Sequence, residues 1–400
     1  MMKKLLILIL VVSFVQSLKA QDSLKVDSAK VYSTQDAVYN RPFINNAKRS
    51  TAIGGYLEAN TNYFVTDGIT DGFSMEMRRF NIFLYSAIGN RIRFLSELEF
   101  EHGTEEIALE TAMLDFKFNP ALNFRGGIIL APIGGFNQNH DSPQWDFVER
   151  PLVSTEIIPS TLSEIGFGFN GKFYKSQWVL TYDAYVVNGL RDEIILNNDG
   201  RTSMQHGKSD EMFAEDNNGR PMYTGKVAVR HRKVGELGLS FYGGTYNSFK
   251  LEGDEVEEKR NMWIYAVDYS VTVGKALIRG EAAYSTIQVP TDLNALFGTK
   301  QWGAYSEINY PIMKRDLFKF KGSVLNANLR AEMVDYNVGQ FSSSDQRKGD
   351  DIKALVMGLS LRPTPATSIR VNYRYHWSTD LLGNPPAKTA GFQFGLTTYF

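Results

Sequence analysis

The run NHDSP sets His140, Asp141 and Ser142 side by side, the residue types from which a hydrolase assembles a base, an orienting acid and a nucleophile. Adjacency argues against that chemistry, because such triads come from separate segments and consecutive side chains point in different directions. The remaining histidines, His102, His206, His231 and His376, have no spacing that would put two imidazoles on one helical face. With 0 cysteines the chain can form neither a thiolate metal site nor a disulfide. The expectation is no enzyme, no metal and no cofactor. More promising chemistry lies in charges placed at every second position. The basic members are Arg91, Arg93, Arg125, Lys172, Lys226, Arg230, Arg279, Arg330, Arg370 and Arg374; a guanidinium fork takes phosphate or carboxylate through paired hydrogen bonds. Acids share those faces, among them Glu97, Glu99, Glu101, Asp183, Asp268, Glu281, Glu307 and Glu332. Opposed signs imply a transverse field, whereas strong selectivity needs rings of one sign.

The elements that carry these charges read as strands. In 367–378, Ile369, Val371, Tyr373, Tyr375 and Trp377 alternate with Ser368, Arg370, Asn372, Arg374 and His376. Segments 91–102 and 323–334 repeat the pattern, so each strand separates an apolar medium from water. Sixteen such segments can be counted between residues 52 and 400. The connections alternate between short, such as Gly89-Asn90, and long, such as 132–163 and 189–222. That asymmetry predicts an all-β, transmembrane antiparallel barrel of about 16 strands, with short periplasmic turns and long extracellular loops. Trp178, Trp263, Trp302 and Trp377 fall near strand ends on the apolar face, where an indole seats at the headgroup level. A soluble sandwich would also alternate but would not sort its loops by length.

Residues 1–20 have two lysines, a short apolar run and a polar end at Ala20, the layout of a cleaved secretory signal. Residues 21–50 are polar and aperiodic, a periplasmic arm that could tether or plug the barrel spanning 51–400. The net charge of −1 gives no basic surface for nucleic acid. GFQFGLTTYF, residues 391–400, alternates to the very end; it reads as the closing strand, paired with the first strand near Ile53–Val65, since a membrane barrel leaves no edge in lipid.

At sixteen strands side chains no longer fill the middle and a water channel remains. Loop 132–163 is long enough to fold inward and narrow it, with Ser142-Pro143 opening a short helix. Asn137, Gln138, His140, Asp141, Asp146, Glu149 and Arg150 are its constriction candidates. The rival reading is an adhesin or structural barrel that binds through its long loops.

The run RGGIILAPIGGFNQNHDSPQWDFVERPLVSTEIIPSTLSEIGFGFNG, residues 125–171, together with FSMEMRRFNIFLY, RIRFLSELEFE and the terminal Phe400, resembles the phosphate-selective porin O and P family of Gram-negative outer membranes. The resemblance implies a trimeric sixteen-strand porin, a third outer loop at the constriction and basic lumen residues that bind anions. It also implies outer-membrane lipid and small hydrophilic solutes or anions as partners, and no nucleic acid.

Overall fold

The computed structural model describes residues 33–45, 50–294, 296–341 and 344–400. The signal-like segment 1–20 and the first part of the arm lie outside the described residues. Strand segments β1 (Thr51–Thr66), β2 (Phe73–Ile88), β3 (Ile92–Glu101), β4 (Glu106–Asn119), β5 (Leu122–Leu130), β6 (Ser163–Lys175), β7 (Trp178–Val187), β8 (Met222–His231) and β9 (Gly235–Thr245) follow in order. A small hairpin, β10 (Lys250–Leu251) and β11 (Asp254–Glu255), stands in a loop. The chain then continues through β12 (Asn261–Val273), β13 (Ala276–Ile287), β14 (Lys300–Leu317), β15 (Phe320–Asp335), β16 (Asp351–Thr364), β17 (Thr367–Thr379) and β18 (Ala387–Tyr399).

Apart from the hairpin, each strand pairs antiparallel with its sequence neighbour, and β18 returns to β1 to close a sixteen-strand barrel. In that seam Tyr56 lies opposite Tyr399 and Thr66 opposite Thr389. The last residue extends it: Phe400 N–H donates to the Gly55 carbonyl at 3.0 Å, and the Gly55 N–H donates back at 3.2 Å. The terminus is regular because its backbone groups are partnered on both sides.

Burial is inverted relative to a water-soluble sheet. Arg330, Arg370 and Gln393 are 1%, 1% and 2% exposed, while Leu329, Val371 and Phe392 on the alternate positions are 45%, 46% and 61% exposed. Polar residues point into the lumen and apolar ones outward, the arrangement that lipid stabilises. Bulges break the parity at several points, one of them opposite Glu97 and Leu98: Glu110 and Thr111 are consecutive on β4 and both are buried.

Three segments occupy the lumen. Loop L3, residues 131–162, starts and ends one residue earlier than expected. Loop L4, residues 188–221, packs Leu190, Ile194, Met204 and Met212 against Ile157, Ile158 and Leu162 of L3 in one buried apolar cluster. Residues 33–45 fill the short-turn end, where the Thr34 N–H donates to Glu236 at the start of β9. The inward-facing Tyr242, Met262 and Ile264 belong to the same apolar cluster, so part of the lumen wall is apolar where the loops pack on it.

Candidate functional site in the barrel lumen

An infolded loop takes its backbone out of water, so its N–H and C=O groups must find partners in the wall. Wall side chains supply them. Asn372 Oδ1 accepts from the Val148 N–H at 2.7 Å, and Glu332 from Leu152 at 2.8 Å. Arg370 donates to the Phe147 carbonyl at 2.7 Å and Arg330 to the Glu149 carbonyl at 2.9 Å. Where L3 leaves β5 it grazes β13: a Cβ on Gly134, whose φ is +64°, would fall 2.2 Å from Glu281. Glu281 accepts the next two backbone N–H groups, Gly135 at 2.5 Å and Phe136 at 3.1 Å.

The residues singled out in L3 divide into two groups. Asn137 clasps the base of the loop, donating to the Ala131 and Leu162 carbonyls and accepting from Leu162 N–H. Gln138 is buried and neither end of its amide has a partner. Asp141 pairs with Arg41 at 2.8 Å and Asp146 with Arg362 at 2.9 Å. Asn137, Asp141 and Asp146 hold the loop, and Gln138 is buried beside them. His140, Glu149 and Arg150 instead line its narrow neck, with Glu149 held by Arg78 at 2.7 Å. His140, Asp141 and Ser142 are drawn to three different partners, Glu110, Arg41 and Arg370, so no triad forms among them.

His140 is the most informative of these residues. Its Nδ1 lies 2.9 Å from the Asn137 carbonyl, which can only accept, and its Nε2 lies 3.1 Å from Glu110. Both nitrogens therefore carry protons. Burial opposes the charged ring, but Glu110 and Glu97 outweigh it and push the pKa up to about 10. Glu97, Glu110 and His140 bring ligand atoms within 4.8 Å of one another, a cluster that histidine spacing could not reveal because the glutamates arrive from β3 and from the β4 bulge. Its charges are already matched: Arg41 and Asn81 donate to Glu97 at 3.2 and 2.8 Å, and the imidazolium faces Glu110.

The ten basic wall candidates behave differently from bare pore cations. Arg93 and Arg125 both hold Asp115, at 2.9 and 2.6 Å. Arg279 and Arg330 share Glu307, Arg370 pairs with Glu58 and Arg374 with Glu332. Lys226 pairs with Asp268, Arg230 with Glu236, and Lys172 with Asp36 of the N-terminal segment. Arg91 is exposed in the turn before β3. Arg91 thus departs from the expected lumen face; the other nine turn inward, with partners on neighbouring strands and inserted segments that alternation does not address.

The space left in the lumen forms two cavities and a neck. An outer cavity of about 560 Å³ lies toward the long-loop end, lined by L3, L4 and the upper β2, β3, β4 and β17. An inner cavity of about 190 Å³ lies toward the short turns, against residues 33–40. Between them Glu58, Arg79, Phe136, His140, Trp145 and Arg370 surround only about 10 Å³, the space of about one water. Arg79, Glu149 and Arg150 border both the outer cavity and the neck, and Trp145 borders both the neck and the inner cavity. The Trp145 indole is fixed by its N–H to the Asn139 carbonyl at 2.6 Å and by Arg279 stacked 3.9 Å over the ring. Sequence reasoning missed Glu58, Arg79 and Trp145; the first two precede the recognised charge pattern, and an indole in a loop carries no periodic signal.

No family model matches the chain. It is 24% identical over 357 residues to an uncharacterized protein of Aquifex aeolicus (strain VF5), covering 82% of this chain and 76% of that protein. Among solved structures it resembles the outer membrane channel DcaP of Acinetobacter baumannii, with a TM-score of 0.56 and 12% identity over 88% of this chain and 99% of that one. Salmonella typhi OmpF, in complex with daunomycin, gives a TM-score of 0.53 and 9% identity over 88% and 98%. The trimer form of OmpT, an outer membrane protein of Vibrio cholerae, gives 0.52 and 11% over 88% and 100%. The shared property is the closed, porin-type outer-membrane barrel.

Proposed function

We propose that this chain is an outer-membrane diffusion channel for small hydrophilic solutes, narrowed by L3. One observation carries the reading: two polar cavities of about 560 and 190 Å³ meet at a neck of side chains within a sealed barrel. The similar solved structures include a channel, and one was determined in a trimer form; a homotrimer in the outer membrane, with the long loops outside, is the corresponding proposal here. The likeness of residues 125–171 to phosphate-selective porins is a reason to test anions such as phosphate as solutes. The ion-paired wall arginines favour a mixed field over an anion ladder. The adhesin reading is weakened because L4 turns Leu190, Ile194, Met204 and Met212 inward against L3.

Planar-bilayer recording tests this. Folded protein should give discrete conductance steps, and Trp145→Ala, which empties one side of the neck, should enlarge them. Silence from both proteins, each shown to be folded, would remove the channel reading.

A further inference from the structure

Most charges in the lumen are matched, so the unmatched ones stand out. Arg150 in L3 and Lys208 in L4 both line the outer cavity. Among the described residues neither has a carboxylate within ion-pair distance. Arg150 makes two 3.4 Å hydrogen bonds, to the Ser160 carbonyl and the Thr161 hydroxyl, and lies 5.9 Å from the Phe136 ring centre, while its Nη2 is buried with no hydrogen-bond partner. Beside it the Ser160 and Ser163 hydroxyls, both nearly fully buried, also lack partners and line the same cavity. Unpaired buried polar atoms are uncommon in folded proteins and each one needs an explanation. Here two cations and two hydroxyls converge on one space of about 560 Å³, within the usual volume of a small-ligand site.

The same cavity carries the opposite charge. Glu99 and Glu101 from β3 and Glu106 and Glu110 from β4 line it. Glu106 is exposed and has no cationic partner among the described residues. Burial lowers the Lys208 pKa, opposed by the fields of Glu110, Glu101 and Glu99, so the free ammonium and the acidic wall feel each other across the cavity without touching. In all, six carboxylates and five fixed cations line it. A simple anion entering would meet the acidic wall, and a simple cation would meet Arg150 and Lys208; each gains one contact and loses against the other.

We propose that the outer cavity binds small zwitterions of the amino-acid and short-peptide class, the carboxylate held by Arg150, Lys208 and the Ser160 and Ser163 hydroxyls, the ammonium by the β3–β4 carboxylates. The proposal rests on the channel reading for its setting and names the solute class for it. A solute with both charges bridges the two walls and leaves neither facing a like charge.

The test uses the full folded chain in detergent, titrated calorimetrically with diglycine, N-acetylglycine and glycinamide, and the same protein in a planar bilayer. Diglycine should bind about tenfold or more tighter than either single-charge probe, the effect of losing one charge-assisted hydrogen bond. Arg150→Gln and Lys208→Gln should weaken diglycine and N-acetylglycine while sparing glycinamide. Glu106→Gln should weaken diglycine and glycinamide while sparing N-acetylglycine. None of the three residues takes part in the ion pairs that hold the fold, and an unchanged melting temperature checks this. Equal binding of the three probes, or diglycine binding indifferent to all three substitutions, would overturn the zwitterion site even if conductance steps are seen. Diglycine preference in a protein that never conducts would keep the site and remove the channel.

Discussion

The lumen is obstructed at both ends, by different physics. Residues 33–45 close the short-turn end through charge. Arg41, buried, donates to Asp141 and Glu97 and lies 3.8 Å over the Phe83 ring. Tyr39 sits under Arg93 at 3.7 Å, and Gln35 donates to Asp183 at 2.9 Å. L4 closes the other end through apolar area, with Leu190, Ile194, Met204 and Met212 buried beside Ile157 and Ile158. The short segment also packs Val38, Tyr39 and Ile44 on the apolar cluster and stacks Phe43 on Phe83, so charge is its distinguishing fastening and not its sole one. The difference teaches how each closure fails: a charge-held closure fails at one residue, an area-held closure loses stability by increments.

The sharpest break of this comparison is Arg41→Ala, which takes the guanidinium away from buried Asp141 and Glu97 and leaves them the Tyr399 hydroxyl and the Asn81 amide, with His140 4.0 and 3.8 Å away. Breaking such a pair from one side costs about 3–5 kcal/mol. Hydrogen exchange over 33–45 should become fast, L3 should loosen and conductance should rise; continued protection of 33–45 would refute charge as the fastening. A smaller effect is expected from Met204→Ala, about 2 kcal/mol, at the low end for a buried truncation because a loop can settle around the gap. Exchange in L4 should then accelerate while that of 33–45 stays slow. The smallest effect is alkaline. His140 titrates at about 10, above the ordinary imidazole value of about 6.5, so its contribution is complete below the ordinary value and is lost as pH rises through about 10. Conductance should climb gradually over that window, and His140→Gln should remove the dependence. Arg41 stays charged throughout, so the N-terminal closure should remain protected.

Nearly the whole barrel was legible because each strand carries its own two-faced pattern and each turn its own length. The alternating segments 91–102, 323–334 and 367–378 fall on β3, β15 and β17, within three residues at each end. The site was legible only in part. Alternation gives the face of Arg370 but not its bond to Phe147 of L3, 223 residues away in sequence. It also misplaces Glu110, because one extra residue at the β4 bulge reverses parity from there to the strand's end. Contacts such as Thr34 to Glu236, separated by 202 residues, leave no local mark at all.

The seam has a consequence for the order of assembly. Tyr399, in the strand that seals the cylinder, donates its hydroxyl hydrogen to Asp141 at 2.7 Å and accepts from Gln144 at 3.0 Å. Two anchors of the constriction are therefore set by the final residues of the chain. Until the first and last strands have zipped together, L3 lacks its full set of fastenings. An unfinished cylinder is thus also an unfinished filter, and a chain cut just before Tyr399 would lose the Tyr56–Tyr399 pair of the seam and two fastenings of L3 in the same step.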